Sequence, residues 1–378
     1  MKSVATIVFF VFISLAARAE DERAAVLVRQ LGDRSFKVRE EASRQLQCMG
    51  RAAYAALQAG ANYPDAEVRE RCRQLLPAIF EKEMKARLED FLNDPDPAND
   101  HGLPGWKRYR TLIGSSPADR ELFGRMIRAD VRLMDSVENR PAELGAEHLA
   151  GRCSLIQMQL QSRDLAIRDS VQFSDVAQLL FLGSHADMKL TPVPTQFINS
   201  LTYQPQLRQG LESGDHVAAA KTLLLAWFEH NASDAGTCNA AANMLIQTGM
   251  KELLAPILRA ACNPKLMQYA RAQAIVAIGR AGSKDQIAPL ETLLTDNTQV
   301  ARFNWNNIRG QTRICDIALA TAIHLSGQKP GDFGFEAVKN NPGFIHSYHY
   351  LGFENDETRA AAQKKWEKWK SENQKPGK

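Results

Sequence analysis

A chain of 378 residues that is 44% apolar and 7% aromatic is long enough for two or three packed domains and too apolar for a disordered protein. Its 47 basic and 43 acidic side chains give a formal charge of +4. Such near neutrality argues against nucleic acid as a partner, because phosphate binding needs a concentrated basic face.

The chain begins with the pattern of an export signal. Lys2 precedes an apolar run over residues 4–15, and Ala17-Arg18-Ala19 follows as an A-x-A cleavage site. This predicts a secretory signal peptide, residues 1–19, cleaved after Ala19. The run is shorter than the roughly 20 residues of a membrane-spanning helix. We therefore expect a periplasmic or secreted protein whose mature chain has no membrane span.

Residues 20–92 are predicted to form a first helical block. Residues 38–42 read Val-Arg-Glu-Glu-Ala and residues 68–72 read Val-Arg-Glu-Arg-Cys, an offset of 30 (68 − 38 = 30). The second of these helices has an apolar pattern that extends towards Leu92. Arg39 and Arg69 therefore recur at one position. They form either a basic ladder for an acidic partner or hydrogen bonds to acidic turns between repeats.

Residues 93–105 are predicted to be a linker, because two Asp-Pro steps and two glycines disfavour helix and strand. Asp94, Asp96, Asp100 and His101 also suggest a calcium loop, since oxygen-rich loops bind hard cations. Their spacing departs from that of an EF-hand, and a plain acidic turn is the alternative. Residues 106–235 are predicted to be a divergent helical segment whose Leu and Met stripes form core.

Residues 236–326 contain the strongest pattern. A motif that begins at Gly249 returns at Gly282, an offset of 33 (282 − 249 = 33). Apolar residues at helical spacing, interrupted at the glycines, predict helical hairpins that stack side by side. Pro256 and Pro289 recur inside the second helix of each hairpin, where the missing N–H is expected to distort the helix start.

These units resemble the HEAT repeat family, in particular its short bacterial form with a Val-Arg-x-x-Ala core. Residues 270–274 (Ala-Arg-Ala-Gln-Ala) match as a third copy, and residues 314–318 match as a degenerate fourth with Cys315 in place of the arginine. The resemblance implies an all-α protein, an α-solenoid of HEAT-like helical hairpins that recognises proteins. It brings no catalytic residues with it.

The C-terminal region changes character. Residues 327–355, rich in Gly, Pro and aromatic residues, are predicted to cap the last repeat. His346 and His349 have a His-x-x-His spacing that suits zinc, or they form a structural pair. Residues 356–372 are predicted to form a helix that docks through its Trp pair or presents a basic face to a partner. Residues 373–378 are predicted to be disordered.

The six cysteines bear on redox state, since an exported chain can oxidise them. In a hairpin that turns at Gly249, Cys238 and Cys262 lie at the ends of nearly equal arms. A disulfide between Cys238 and Cys262 is therefore possible, because the required Cα separation is within roughly 7 Å. The alternative for every cysteine is a buried, reduced thiol.

No catalytic motif is present in the sequence, although His230, Asp234 and Cys238 follow one another at intervals of four. The predicted function is a non-enzymatic scaffold of the bacterial cell envelope, without cofactor or metal. Its partner is expected to be a protein or peptide, bound along the concave surface formed by successive second helices. The alternative is a divergent hydrolase or metal-binding protein with a site near His346 and His349 or in the middle segment.

Overall fold

The computed structural model describes residues 20–373, so the predicted signal peptide (1–19) and residues 374–378 of the predicted tail lie outside the described residues. The described chain is mostly helical and contains packed helix pairs. It divides into two compact units, one ending at Arg140 and the other beginning at Pro141. None of the helices in residues 20–373 has both the length and the apolar content needed to cross a membrane.

The first unit contains seven α-helices within residues 20–140. They are α1 (residues 20–30), α2 (Phe36–Met49), α3 (Tyr54–Gly60), α4 (Ala66–Asn93), α5 (Trp106–Leu112), α6 (Pro117–Ala129) and α7 (Val131–Asn139). α1 to α3 and the first half of α4 share one apolar core that includes Leu27, Leu46, Leu57 and Cys72. α4 starts at the Asp65 cap and continues to Asn93, as its apolar pattern predicts.

The two recurring arginines hold the turns that lead into their own helices. Arg39 Nη1 lies 2.8 Å from the carbonyl oxygen of Asp33, and Arg69 Nη1 lies 2.8 Å from that of Tyr63. Each also donates to the next carbonyl along the chain. Arg39 Nε further pairs with Glu67 at 3.4 Å. These contacts favour the prediction that the two arginines form hydrogen bonds within the protein rather than a basic ladder for a partner. The bonded carbonyls differ from the prediction in that they belong to the turn before the same helix and not to a turn between repeats.

The segment predicted as a linker, residues 93–105, lies inside the first unit. Arg120 is 8% exposed, donates to the carbonyl of Asp94 at 2.9 Å and stacks over the Phe91 ring at 4.1 Å. The Trp106 indole N–H donates to the carbonyl of Pro97. The prolines do break regular structure here, but side chains of α5 and α6 bond the carbonyls that this break leaves free. The first compact unit continues beyond this segment to Arg140.

The second unit is larger, and within residues 141–373 it combines helices with one β-hairpin. Its helices are α8 (Ala142–Leu160), α9 (Leu165–Asp169), α10 (Phe173–Gly183), α11 (Pro192–Ser200), α12 (Pro205–Glu212), α13 (Val217–His230), α14 (Ala235–Thr248), α15 (Leu254–Cys262), α16 (Gln268–Ala281), α17 (Ile287–Glu291), α18 (Ile314–Leu325), α19 (Glu336–Asn340) and α20 (Asp356–Asn373). The strands β1 (Gln299–Trp305) and β2 (Ile308–Arg313) stand between α17 and α18.

Two successive helix pairs have matching boundaries. α16 begins and ends 33 residues after α14 (268 − 235 = 33), which is the offset of the sequence motif. A single 3₁₀ turn opens the second half of each pair, Lys251–Leu253 before α15 and Lys284–Gln286 before α17. Pro256 and Pro289 follow at the third residue of each α-helix. The expected distortion is therefore present in both pairs.

The hairpin corrects the prediction that residues 236–326 are entirely helical. β1 and β2 pair antiparallel, with Trp305 opposite Ile308. Asn306 and Asn307 connect them with φ of 47° and 63°, the left-handed conformation that a two-residue hairpin turn requires. After the hairpin the chain returns to helix at Ile314, and α18 packs against α16 as α16 packs against α14.

The last helix docks through one tryptophan. Trp366 is 1% exposed, and its indole N–H donates to Glu291 Oε1 at 2.7 Å. Lys370 Nζ lies 2.6 Å from the same oxygen. The docking interpretation of the C-terminal helix is thus confirmed for Trp366, while Trp369 is half-buried and stacks on it.

A buried ion pair joins this helix to the hairpin and to α18. Arg359 Nε lies 2.7 Å from Asp316 Oδ1, and Arg359 Nη2 donates to the carbonyl of Gln311 in β2. Burial raises the pKa of the Asp316 carboxyl, and the hydrogen bonds from Arg359 oppose that rise. One guanidinium therefore holds three elements of the C-terminal region together.

A second buried arginine links the two helix pairs. Arg271, on α16, is 2% exposed. Its Nε donates to the carbonyl of Ala261 at the end of α15 at 2.9 Å, and its Nη2 donates to Asp296 after α17 at 2.6 Å. Burial by itself would raise the pKa of Asp296, but hydrogen bonds from Thr298 and Arg271 keep that pKa below its ordinary value.

We expect Arg271→Ala to lower the free energy of unfolding by about 3 kcal/mol, because it leaves a carboxylate and a helix-terminal carbonyl without their buried donor. Urea unfolding followed by circular dichroism measures this change. Arg259→Ala is the control, since the Arg259–Glu229 pair is 57% and 52% exposed and should contribute less than about 1 kcal/mol. Equal losses in the two variants would contradict the role assigned to Arg271.

Candidate functional site

The second unit contains a large open groove where three helices end or begin. It has a volume of about 1160 Å³ and lies between α12, α13 and the corner that follows α14. Gly249, with φ of 67°, ends α14 and turns the chain, as the sequence predicts. The lining residues are Thr202, Arg208, Leu211, Glu212, Lys221, Met244, Gln247, Thr248, Gly249, Met250, Lys251 and Glu252.

The groove has an apolar floor and a charged rim. Met244 and Met250 are 4% and 7% exposed, and thioether side chains adapt to differently shaped ligands. On the rim, Lys221 Nζ lies 3.7 Å from Glu252 Oε1, while Arg208 is exposed. Rim charges of both signs are suited to orienting a polar chain, and the floor is suited to apolar side chains.

An amide and an aromatic hydroxyl extend the polar surface along α14. Asn243 Nδ2 donates to the hydroxyl of Tyr203 at 3.1 Å, and Tyr203 is 46% exposed. Gln247 follows Asn243 by one helical turn and lines the groove. The arrangement offers hydrogen-bond donors and acceptors beside an apolar floor. None of the groove-lining side chains is a cysteine or a histidine.

The candidate calcium loop is bonded to itself. Asp94 Oδ1 accepts the backbone N–H of Asp96, and Asp100 Oδ1 accepts that of Gly102. His101 Nε2 lies 2.8 Å from Asp94 Oδ2. Within residues 20–373 no three His, Cys, Asp or Glu side chains come together in a group that could hold a metal ion. The geometry favours the acidic-turn alternative, because these oxygens already serve as acceptors inside the loop.

His346 and His349 do not share a helical face. They belong to separate 3₁₀ turns, Pro342–His346 and Tyr348–Tyr350. The His346 ring instead faces His324, with the ring centroids 5.9 Å apart. Partial burial and the nearby Arg280 lower the pKa of His346. The two histidines of the predicted His-x-x-His pair therefore lie on separate turns, and Ser347 stands between those turns.

His230, Asp234 and Cys238 have separate structural contacts. His230 Nε2 lies 2.9 Å from the carbonyl of Met188, and Asp234 caps α14. Cys238 Sγ donates to the carbonyl of Ala232 at 3.2 Å. Burial raises the pKa of the Cys238 thiol to about 12, which disfavours the thiolate that a nucleophile needs. The structure does not bring the three side chains together as a catalytic group.

The predicted Cys238–Cys262 disulfide is not formed here, since both cysteines are free. Cys238 packs in an apolar cluster with Ala260, Leu266 and Ala270. Cys262 follows Ala260 by two positions and therefore lies about 200° further around the α15 axis. The hairpin therefore turns at Gly249 as predicted, but Ala260 rather than Cys262 packs against Cys238. The bridge stays a prediction for oxidised protein.

Comparison with protein-family models and with curated proteins finds no match for this chain. The groove and its chemistry are accordingly the basis on which a function is inferred.

Sequence reasoning missed both the groove and the hairpin. The signal for the hairpin was present, because Ala301, Phe303 and Trp305 alternate with polar residues before an Asn-Asn pair. The groove had a weaker signal. Met250 and Lys251 after Gly249 indicate a helix corner, but the opposing wall comes from α12, some forty residues earlier in the chain.

Thiol titration of the unreduced protein in denaturant tests the free thiols of the structure, which give a count of six. In the native state, Cys48 should react first, because it is exposed, whereas Cys72, Cys153, Cys238 and Cys315 are buried. Mass spectrometry after alkylation identifies the order. A count of four, with a peptide that joins Cys238 to Cys262, would instead establish the disulfide.

Asp94 should contribute to stability in a pH-dependent way. Hydrogen bonds from Asn99, the Asp96 backbone and His101 lower its pKa from 3.8 to about 2. A lowered carboxyl pKa stabilises the folded state above about pH 4, and this contribution is lost as the pH falls towards 2. Asp94→Asn should therefore be less stable than the native sequence near pH 7, with the difference narrowing towards pH 2.

Urea unfolding at a series of pH values measures the effect of Asp94→Asn. Asp215→Asn, which removes a carboxylate at an exposed position, is the control. A stability difference for Asp94→Asn that is constant between pH 2 and pH 7 would show that the carboxylate charge is unimportant.

Proposed function

We propose that this chain is a non-enzymatic helical scaffold that binds a protein or peptide in the groove beside α14. The observation that carries the proposal is the size and lining of that groove. Its volume of about 1160 Å³ exceeds the roughly 300–1,000 Å³ of most small-molecule sites. Its Met floor and mixed-charge rim suit a chain that carries both apolar and charged side chains.

The architecture proposed for the scaffold is an α-solenoid of HEAT-like hairpins. The shared offset of α14 and α16, the paired 3₁₀ turns and the buried Arg271 support it. A peptide seated in the groove would pass from the corner at Lys251 onto α15, which is the second helix of its pair. The groove and the concave surface expected from successive second helices thus form one proposed binding region.

The proposed location is the cell envelope. Its support is the sequence of residues 1–19, where a basic residue, an apolar run and an A-x-A site stand in order. A partner is accordingly sought among exported proteins.

Site-specific photo-crosslinking tests the groove directly. A photoreactive amino acid at Gln247, exposed and lining the groove, should give a covalent adduct with one envelope protein in cells. The same label at Gln157, exposed on α8, is the matched control and should not give that adduct. Lys251→Glu together with Arg208→Glu should reduce the yield at Gln247 several-fold by reversing rim charges.

The absence of any adduct at Gln247, or the same adducts at Gln247 and Gln157, would rule out the groove as the binding site. Circular dichroism of each labelled protein shows whether its fold is retained.

A further inference from the structure

The β1–β2 hairpin has one open backbone edge. In a hairpin with a two-residue turn, the pair next to the turn exchanges hydrogen bonds, here Trp305 with Ile308. Alternation then directs the N–H and C=O of Phe303 towards β2 and those of Arg302 and Asn304 away from it. β1 therefore presents a row of donors and acceptors on its outer side.

The corresponding edge of β2 is partly paired, which supports this register. Gln311 lies on β2 at an outward-facing position, and its N–H donates to the carbonyl of Phe353 at 2.9 Å. The N–H of Phe353 donates back to Gln311 at 3.1 Å. Among residues 20–373, no backbone group pairs with Arg302 or Asn304 on the outer edge of β1.

The edge is held in place from the opposite face. Trp305 packs edge-on against Phe344 with ring centroids 5.0 Å apart. The Phe303 ring covers Gly310, where a Cβ atom would lie 2.5 Å from it. Gly352 lies so close to Gln311 that a Cβ would be 2.2 Å from the carbonyl oxygen of Gln311. The strand is thus preformed, which lowers the entropic cost of binding to it.

Positive charge lies beside the open edge. Arg302 and Arg309 are exposed on the solvent face of the hairpin, on neighbouring cross-strand pairs (Arg302 opposite Gln311, Asn304 opposite Arg309). Neither arginine has an ion pair or a side-chain hydrogen bond within the described part of the chain. Arg313, on the same strand as Arg309, is instead paired with Asp356 at 2.9 Å.

We propose that an extended acidic peptide adds as a third strand to the outer edge of β1. Its backbone would bond to Arg302 and Asn304, and its acidic side chains on the solvent face would pair with Arg302 and Arg309. A second copy of this chain is a poorer occupant, because pairing β1 with itself brings two Arg302 side chains together on one face. The surface is distinct from the groove at Gly249.

Fluorescence anisotropy with a labelled octapeptide of alternating Glu and Thr tests the proposal. We expect saturable binding to the full chain, weakened about tenfold or more by Arg302→Glu. Two further peptides are N-methylated at alternate residues, one at the odd and one at the even positions, so that each lacks the N–H groups on one edge. We expect only one of the two, the peptide methylated on the edge that faces β1, to bind about tenfold more weakly. This second comparison leaves the protein unchanged.

Asn304→Pro tests the backbone contact from the protein side. Its N–H faces outwards, so proline removes a donor to the ligand without removing a β1–β2 hydrogen bond. Circular dichroism and thermal unfolding establish that the variant folds. Arg163→Glu, an exposed arginine on the same unit, makes the same charge change elsewhere and should leave peptide affinity within about twofold.

Three results with the peptides alone would overturn the proposal. They are no binding at millimolar peptide, equal affinity for a Lys-Thr peptide, and equal affinity for all N-methylated peptides. Heparin competition gives a further test. If heparin displaced the peptide equally well from the native protein and from the Asn304→Pro variant, the basic face would bind polyanions in general, and the proposal would also be overturned.

Discussion

Side-by-side packing of α14, α16 and α18 is the contact on which the second unit depends. α16 is covered on both sides, and its buried face consists largely of small residues such as Ala270, Ala274 and Ala277. Helices this short cannot bury an apolar face alone, so each is stable only against its neighbours. Arg271, a buried polar side chain on α16, is tolerated because it bonds the end of one pair and the acidic turn after the next.

This constraint separates the parts of the molecule that must pack from the parts that are free to bind. The helix faces that contact a neighbouring pair are closely packed, so they tolerate few substitutions. The corner at Gly249 and the β1–β2 insertion do not carry that packing, and the groove and the open strand edge are found there. Corners and insertions held by a rigid helical framework are where binding surfaces commonly occur.

The insertion is held by contacts with the rest of the unit, since an isolated two-stranded hairpin is marginally stable. Arg359 joins Asp316 of α18 to the backbone of β2, and Phe353 adds two backbone bonds to the outer side of β2. Trp366 then fastens α20 to α17 through Glu291. These contacts hold one edge of the hairpin and leave the outer edge of β1 available.

The sequence by itself determined the helical class, the offset between α14 and α16, the helix end at Gly249 and the distortion at Pro256 and Pro289. All of these depend on caps, breaks and periodicity within one or two helical turns. Tertiary structure decided the rest. The Pro-rich segment 93–105 is packed because Arg120 reaches its carbonyls, and Cys238 faces Ala260 because of how α14 and α15 rotate against each other. The groove needs α12 and α14, which are distant in the chain, and no local pattern specifies contacts between segments so far apart.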